Sequence, residues 1–318
     1  MLEQIKQILE KHVDIYNFVS TLTYKERRSA LNLTDGLSDY GFLEDYQTII
    51  TLAIPYPSTL EKWKKKGYGI LSRYCYGTDY HILFRRILGD ITTELSDLGL
   101  RAKASVDISG VDERFAGFLS SMGWLGKNQY LIINGYGTYT FLATILIDVP
   151  IPTKIQIHDD CGTCTKCIDA CPSGALDHGF EMDKCISHIS QEKIPFDETQ
   201  VGYFKTMIFG CDICQRVCPK NGAVDIHKYP EFEPLGIENI DLKELLHMSN
   251  REYMERYGTN ASSWRGASVV KRNALCLIAN QKRTDLIPDI KASMKQLQDT
   301  PWYLDTANLV LSLLERSE

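Results

Sequence analysis

Apolar residues recur at helical spacing in the opening stretch MLEQIKQILEKHV, at Leu2, Ile5, Leu9 and Val13, with charges between them. That pattern predicts an amphipathic helix and not a secretory leader. TIITLAIPYP (48–57) is apolar almost throughout and ends in prolines, as a buried strand does. DYHILFRRILGDITTELSDLGL (79–100) has helical periodicity and stops at Gly99. LRAKASVDI then predicts a strand ending near Asp107, followed by a helix that places Phe115 and Phe118 or Leu119 on one face and breaks at Gly123. YLIINGYGTYTFLATILIDV predicts two strands joined by a hairpin turn at NGYG. Strands and helices alternate through residue 150, an α/β or α+β pattern. From about residue 237 the chain reads as helical throughout; its segments are similar to the paired helices of an α-solenoid, although too few repeats are visible to establish one.

Composition narrows the class. At 318 residues, 44% hydrophobic and 24% charged, the chain has material for roughly two folded domains. No apolar run reaches the roughly 18 residues of a membrane span, so a cytoplasmic protein is expected. The net charge of −6 gives no global argument for nucleic-acid binding, so any such surface has to be a local basic patch.

Ten cysteines without a secretory leader argue for metal or redox chemistry over disulfides. Eight fall into ligand-like positions. CGTCTKCIDACP supplies Cys161, Cys164, Cys167 and Cys171, the C-x2-C-x2-C-x3-C-P run of bacterial two-cluster ferredoxins. CDICQRVCP supplies Cys211, Cys214 and Cys218, and Cys185 in MDKCISH is the natural eighth. In the ferredoxin arrangement three close cysteines share a cluster with the distal Cys-Pro of the other motif. That assigns Cys161, Cys164, Cys167 and Cys218 to one 4Fe–4S cluster and Cys171, Cys185, Cys211 and Cys214 to a second. Zinc is the competing reading, but zinc sites rarely show this spacing.

Several stretches then occur in a telling order: SRYCYGTDYH (72–81), VDISGVDERFAGFLSSMGWLGKN (106–128), the first cysteine run, CISHIS (185–190) and GCDICQRVCPKN (210–221). Together they resemble the epoxyqueuosine reductase family over nearly the whole chain. The resemblance implies an α+β (α/β-type) cobalamin-binding catalytic domain at 1–154, a ferredoxin-like two-cluster domain at 155–236 and a helical HEAT-like domain at 237–318. It implies two 4Fe–4S clusters feeding electrons to cobalamin, and the reduction of epoxyqueuosine to queuosine at the wobble position of tRNA. An external flavodoxin- or ferredoxin-type electron donor, a monomer and no membrane attachment are the associated expectations.

By the same resemblance Asp107 matches the family's catalytic acid, seven residues before Arg114. Removing an epoxide oxygen as water needs protons at that oxygen, and a carboxylic acid kept protonated by burial beside the corrin can deliver one. The plain alternative is a strand-end aspartate capping the next helix. Arg28, Arg73, Tyr74, Lys127, Asn128, Ser187, Asp212 and Ile213 are the implied cobalamin contacts, along with Asp107 itself. The cluster held by Cys171, Cys185, Cys211 and Cys214 is expected to lie nearer the corrin. For tRNA the basic material is KWKKKGYG (62–69), the Arg85-Arg86 pair and WRGASVVKRN (264–273), with Arg265, Lys271 and Arg272 preferred. The chain departs from the family with CPKN at 218–221, Gly110 in place of a proline, and Thr78 in TDYH. Two other readings are a cobalamin reductase of another substrate, such as a reductive dehalogenase, and a di-cluster electron carrier. The first class usually carries an export signal; the second predicts no corrin and no role for Asp107.

Overall fold

The computed structural model describes residues 1–30, 41–57, 63–107, 110–153, 155–156, 161–221 and 229–316. The chain divides into two compact units, each built from separate segments: Met1–Ser58, Tyr80–Thr165 and Pro219–Pro230 in one, Thr59–Asp79, Lys166–Cys218 and Glu231–Glu318 in the other. Among the described residues no helix is long and apolar enough to cross a membrane.

The first unit carries a four-stranded antiparallel sheet in the order Ile15–Ser20, Thr48–Pro55, Thr140–Ile147, Ala102–Ser105. Thr48–Pro55 is buried at every position, as its unbroken apolar run requires. The helix Leu2–His12 buries Ile5, Ile8 and Leu9, and Tyr80–Asp97 is the long helix expected from its periodicity, with Gly99 at φ +81° ending the turn that follows it. The NGYG hairpin does not form. Leu131–Ile133 pairs back onto Gly123–Leu125 in a two-stranded sheet, while Thr140–Ile147 joins the larger one. Ile133 and Gly137 close a turn there with an isolated antiparallel bridge, but the strands on its two sides belong to different sheets.

The second unit has a three-stranded mixed sheet. Tyr68–Leu71 runs parallel to Met207–Phe209 and antiparallel to Asn239–Asp241. Residues 63–79 therefore build this unit and not the segment that precedes it in sequence, because their strand finds its partners more than a hundred residues downstream. Nor is the C-terminal part helical throughout, since Asn239–Asp241 opens it as a strand. The helices Leu242–His247 and Pro301–Glu315, with Glu198–Tyr203 from before the strand, pack on Ala267–Asn280. One apolar core runs from Ile70 through Ile186, Phe209 and Val270 to Leu314, so the tail and the cysteine-bearing segment share their interior.

Candidate active site and cysteine centres

Asp107 follows the strand Ala102–Ser105 with φ +61°, a left-handed conformation that aspartate tolerates better than most residues. Its backbone N–H donates to Glu113 Oε1 at 2.8 Å. Its Oδ2 accepts the Tyr80 hydroxyl and lies 3.0 Å from His81 Nε2. Tyr80 is itself held by aromatic packing. Its ring stacks on Phe141 at 4.3 Å and 12°, and Phe141 in turn lies 4.4 Å from Tyr56, so the central strands fix the hydroxyl that meets Asp107. Asp107 does not cap the helix Glu113–Leu119. Asp112 does so, accepting the Phe115 N–H at 3.0 Å. The expected burial is not supplied by the chain alone, for the Asp107 side chain is 48% exposed.

Sequence reasoning missed Tyr80 and Glu113 as partners of this acid. The only signal for Glu113 was its place inside the seven-residue interval to Arg114. Its carboxyl is pushed up to about 7, first by burial, with the Asp107 carboxylate adding to the effect. A carboxyl raised from 4.5 in this way stabilises the fold fully at low pH and loses that contribution as pH rises through about 7. Glu113→Gln keeps an acceptor for the Asp107 amide and removes the charge. Its melting temperature relative to wild type is expected to climb between about pH 5 and pH 8. Thermal scans yielding the same difference at both ends would rule out this linkage.

Of the eight cysteines, the structure brings Cys171, Cys185, Cys211 and Cys214 together within the second unit. Burial pushes the Cys211 and Cys214 thiols up, and in both cases Cys185 and Cys171 lie close enough to raise them further. The Ile213 amide hydrogen-bonds Cys211, and the Ser187 and His188 amides hydrogen-bond Cys185, pulling those thiols the other way. Half-buried thiols near one another, two of them with amides at their sulfurs, suit an iron–sulfur cluster. Among the described residues no three His, Cys, Asp or Glu side chains converge as a single-ion site would require. Cys161 and Cys164 fall in the first unit, and Cys167 and Cys218 in the second.

The implied cobalamin contacts separate into several kinds. Arg28 is turned into the first unit's interior at 1% exposure, 3.5 Å from Asp112 and over the rings of Tyr24 and Phe115. Lys127 donates to the carbonyls of Gly162 at 2.7 Å and Cys164 at 3.0 Å, which ties down the first cysteine loop. Ser187 and Ile213 turn their amides to cysteine sulfurs. Asp212 is 1% exposed and accepts the Arg73 N–H at 3.2 Å. Gly210, at φ +66°, lets the Tyr74 ring lie against the backbone beside Cys211, where an added Cβ would stand 2.6 Å from the ring. Asn128 is 4% exposed, its Oδ1 accepting from Tyr130.

Two of the three preferred tRNA residues are buried. Arg272, 0% exposed, donates to the carbonyls of Ile189, Glu192 and Ile194 and lies 3.7 Å over Phe196. Lys271, 2% exposed, bonds Leu246 O and Gln296 Oε1, and burial pulls its ammonium down to about 8. Both belong to the core because the helix Ala267–Asn280 is surrounded on nearly every side, leaving its polar residues no solvent face. Arg265 alone stays near the surface, stacked 3.9 Å over the exposed ring of Trp264 and 3.5 Å from Glu192. Lys64, Lys65, Lys66, Arg85 and Arg86 are exposed, whereas Lys62 lies outside the described residues.

Known proteins bear on this arrangement. Residues 40–108 match the family described as "Epoxyqueuosine reductase QueG, DUF1730", and residues 160–221 match "4Fe-4S double cluster binding domain". A Bacillus anthracis epoxyqueuosine reductase is 38% identical over 262 residues, covering 80% of this chain and 69% of that protein. A crystal structure of an epoxyqueuosine reductase with an epoxyqueuosine-modified tyrosine tRNA stem loop superposes with a TM-score of 0.83 at 27% identity, over 99% of this chain and 98% of that one. A Bacillus subtilis epoxyqueuosine reductase whose catalytic aspartate loop is swung out of the active site gives 0.81 at 26% identity, over 98% of each chain.

Proposed function

The chain belongs to the epoxyqueuosine reductase family, and from that premise we propose that it reduces epoxyqueuosine to queuosine at the wobble position of tRNA. Asp107 carries this reading. It is a carboxylic acid on a strained left-handed turn, exposed for substrate, anchored at its amide by Glu113 and at its carboxylate by Tyr80 and His81. A structural aspartate would have capped the helix; Asp112 does that instead. In a relative the catalytic aspartate also sits on a loop, one that can swing away from the active site.

Cys161, Cys164, Cys167 and Cys218 would hold one 4Fe–4S cluster, and Cys171, Cys185, Cys211 and Cys214 the other, the set nearer cobalamin. Cobalamin is proposed to meet Arg73, Tyr74 and Asp212 of the second unit, and the family resemblance alone adds Asn128 of the first. Two buried atoms among these, Asn128 Nδ2 and Asp212 Oδ1, have no hydrogen-bond partner among the described residues, which suits a group rich in amides. When bound, the clusters supply single electrons and cobalamin a strongly reducing centre for the epoxide carbon. Asp107 then protonates the oxygen while Glu113 and Tyr80 keep the acid in place. Electrons come from an external flavodoxin- or ferredoxin-type donor. On the RNA side, Arg265 with the exposed Trp264 offers a cation and a stacking face, and the Lys64–Lys66 run offers phosphate contacts.

Anaerobic reconstitution with iron, sulfide and cobalamin, then incubation with a stem loop carrying epoxyqueuosine, tests this directly. The expected product is the nucleoside lacking one oxygen. Corrin binding without turnover would remove the substrate assignment, and failure to bind corrin at all would favour the electron-carrier reading.

A further inference from the structure

Reducing an epoxide to an alkene consumes two electrons and two protons. Both carbon–oxygen bonds break, a carbon–carbon double bond forms, and the oxygen leaves as water. The electrons come from the one-electron donor through the reduced cofactors. The protons must come through the protein, and Asp107 carries only one at a time.

The surroundings of Asp107 provide a way to refill it. Tyr80 and His81 both meet the same carboxylate oxygen, Oδ2, so that Oδ1 lies outside both contacts. The His81 side chain is 36% exposed, in reach of water, and its ring stacks on Tyr80 at 4.2 Å. The helix Tyr80–Asp97 thus presents two adjacent side chains to one acid, one packed against Phe141 and one open to solvent. We propose that His81 is a proton relay that recharges Asp107 from solvent during each turnover, while Tyr80 keeps the receiving oxygen in place. This rests on the epoxide-reducing role of the site proposed above.

In the step, the imidazolium N–H gives its proton to Asp107 Oδ2, Asp107 delivers a proton to the substrate oxygen, and the neutral imidazole takes another from water. Oxidation states do not change in this exchange. Among the described residues, the titratable groups that face His81 include Asp107, which follows the strand Ala102–Ser105, and Tyr80 on its own helix; Glu113 stands behind Asp107 at its amide, and the strand Thr140–Ile147 brings the uncharged Phe141 against Tyr80. His81 is therefore a positioning and relay residue that acts through Asp107.

Steady-state reduction of the epoxyqueuosine stem loop by the fully reconstituted enzyme, from about pH 6 to 9, tests the relay. Wild-type kcat is expected to fall as the imidazolium is lost. His81→Gln should lower kcat about 10- to 100-fold with KM for the RNA unchanged, flatten that pH dependence, and recover in part when imidazole is added. An active wild type whose His81→Gln variant keeps the same kcat and pH slope overturns the relay while leaving the enzyme assignment standing. A wild type that binds its cofactors but reduces no epoxide overturns both. Should His81→Gln not fold, a wild-type kcat that stays flat across this range overturns the relay without it.

Discussion

Asp107→Asn is expected to lower epoxide reduction by about 100- to 10,000-fold while leaving cluster absorbance, corrin binding and RNA affinity as in wild type. The size follows from general acid catalysis by a positioned group, and the selectivity follows from the geometry. Asparagine tolerates the left-handed backbone at φ +61° nearly as well as aspartate, so the turn survives. Its amide oxygen can still accept from Tyr80, and its N–H can still donate to Glu113. The helix cap is Asp112 and is untouched. What the variant lacks is a proton to give. Single-turnover kinetics with fully reduced enzyme would separate this loss from any defect in electron delivery; a variant with wild-type turnover would end the proton-donor role.

The second large effect belongs to a residue that the sequence pointed towards RNA. Arg272→Leu is expected to destabilise the second unit by about 3–5 kcal/mol, because it leaves the buried carbonyl of Ile189 and the partly buried carbonyls of Glu192 and Ile194 without this donor. These carbonyls lie on the chain just after Cys185, so the same change should lower cluster content after reconstitution. A leucine refills part of the volume against Phe196 but none of the hydrogen bonds. Thermal unfolding should move down on the order of 10 °C. RNA affinity measured on protein that remains folded should not change. A variant that melts like wild type but binds RNA more weakly would return Arg272 to the interface.

Why the chain disguised Arg272 is instructive. In WRGASVVKRNALCLIANQ a Lys-Arg pair beside a tryptophan looks like a nucleic-acid surface, yet Val269, Val270, Ala274, Leu275, Cys276, Leu277 and Ile278 surround it with almost no polar stripe. A helix apolar on all sides is an interior helix, and its cations are then there to satisfy backbone. The local signals fared better where one residue sufficed to read them. The strand Thr48–Pro55 and the helix Tyr80–Asp97 both follow from short-range pattern. Pairing did not. Nothing within Tyr68–Leu71 announces that it lies between strands at 207–209 and 239–241, and nothing in NGYG forbids a hairpin. Asp107 was legible as an acid in a motif, but its three holders are the first two residues of one helix and the first residue of another. Gly110 adds a difference that matters. At φ +70° it stands at a backbone angle closed to proline.

The core shared by Ile70, Ile186, Phe209 and Leu314 also fixes an order of events during synthesis. The cysteines at 161–218 leave the ribosome before the helices Ala267–Asn280 and Pro301–Glu315 exist to close the interior behind them. Until the last helix is released, Cys211 and Cys214 lie in a segment whose apolar side faces water. Stable cluster insertion into the second unit is therefore expected only once Ala267–Asn280 and Pro301–Glu315 have emerged, and a chain cut short before Ile287 is expected to hold less iron after reconstitution than the 318-residue chain.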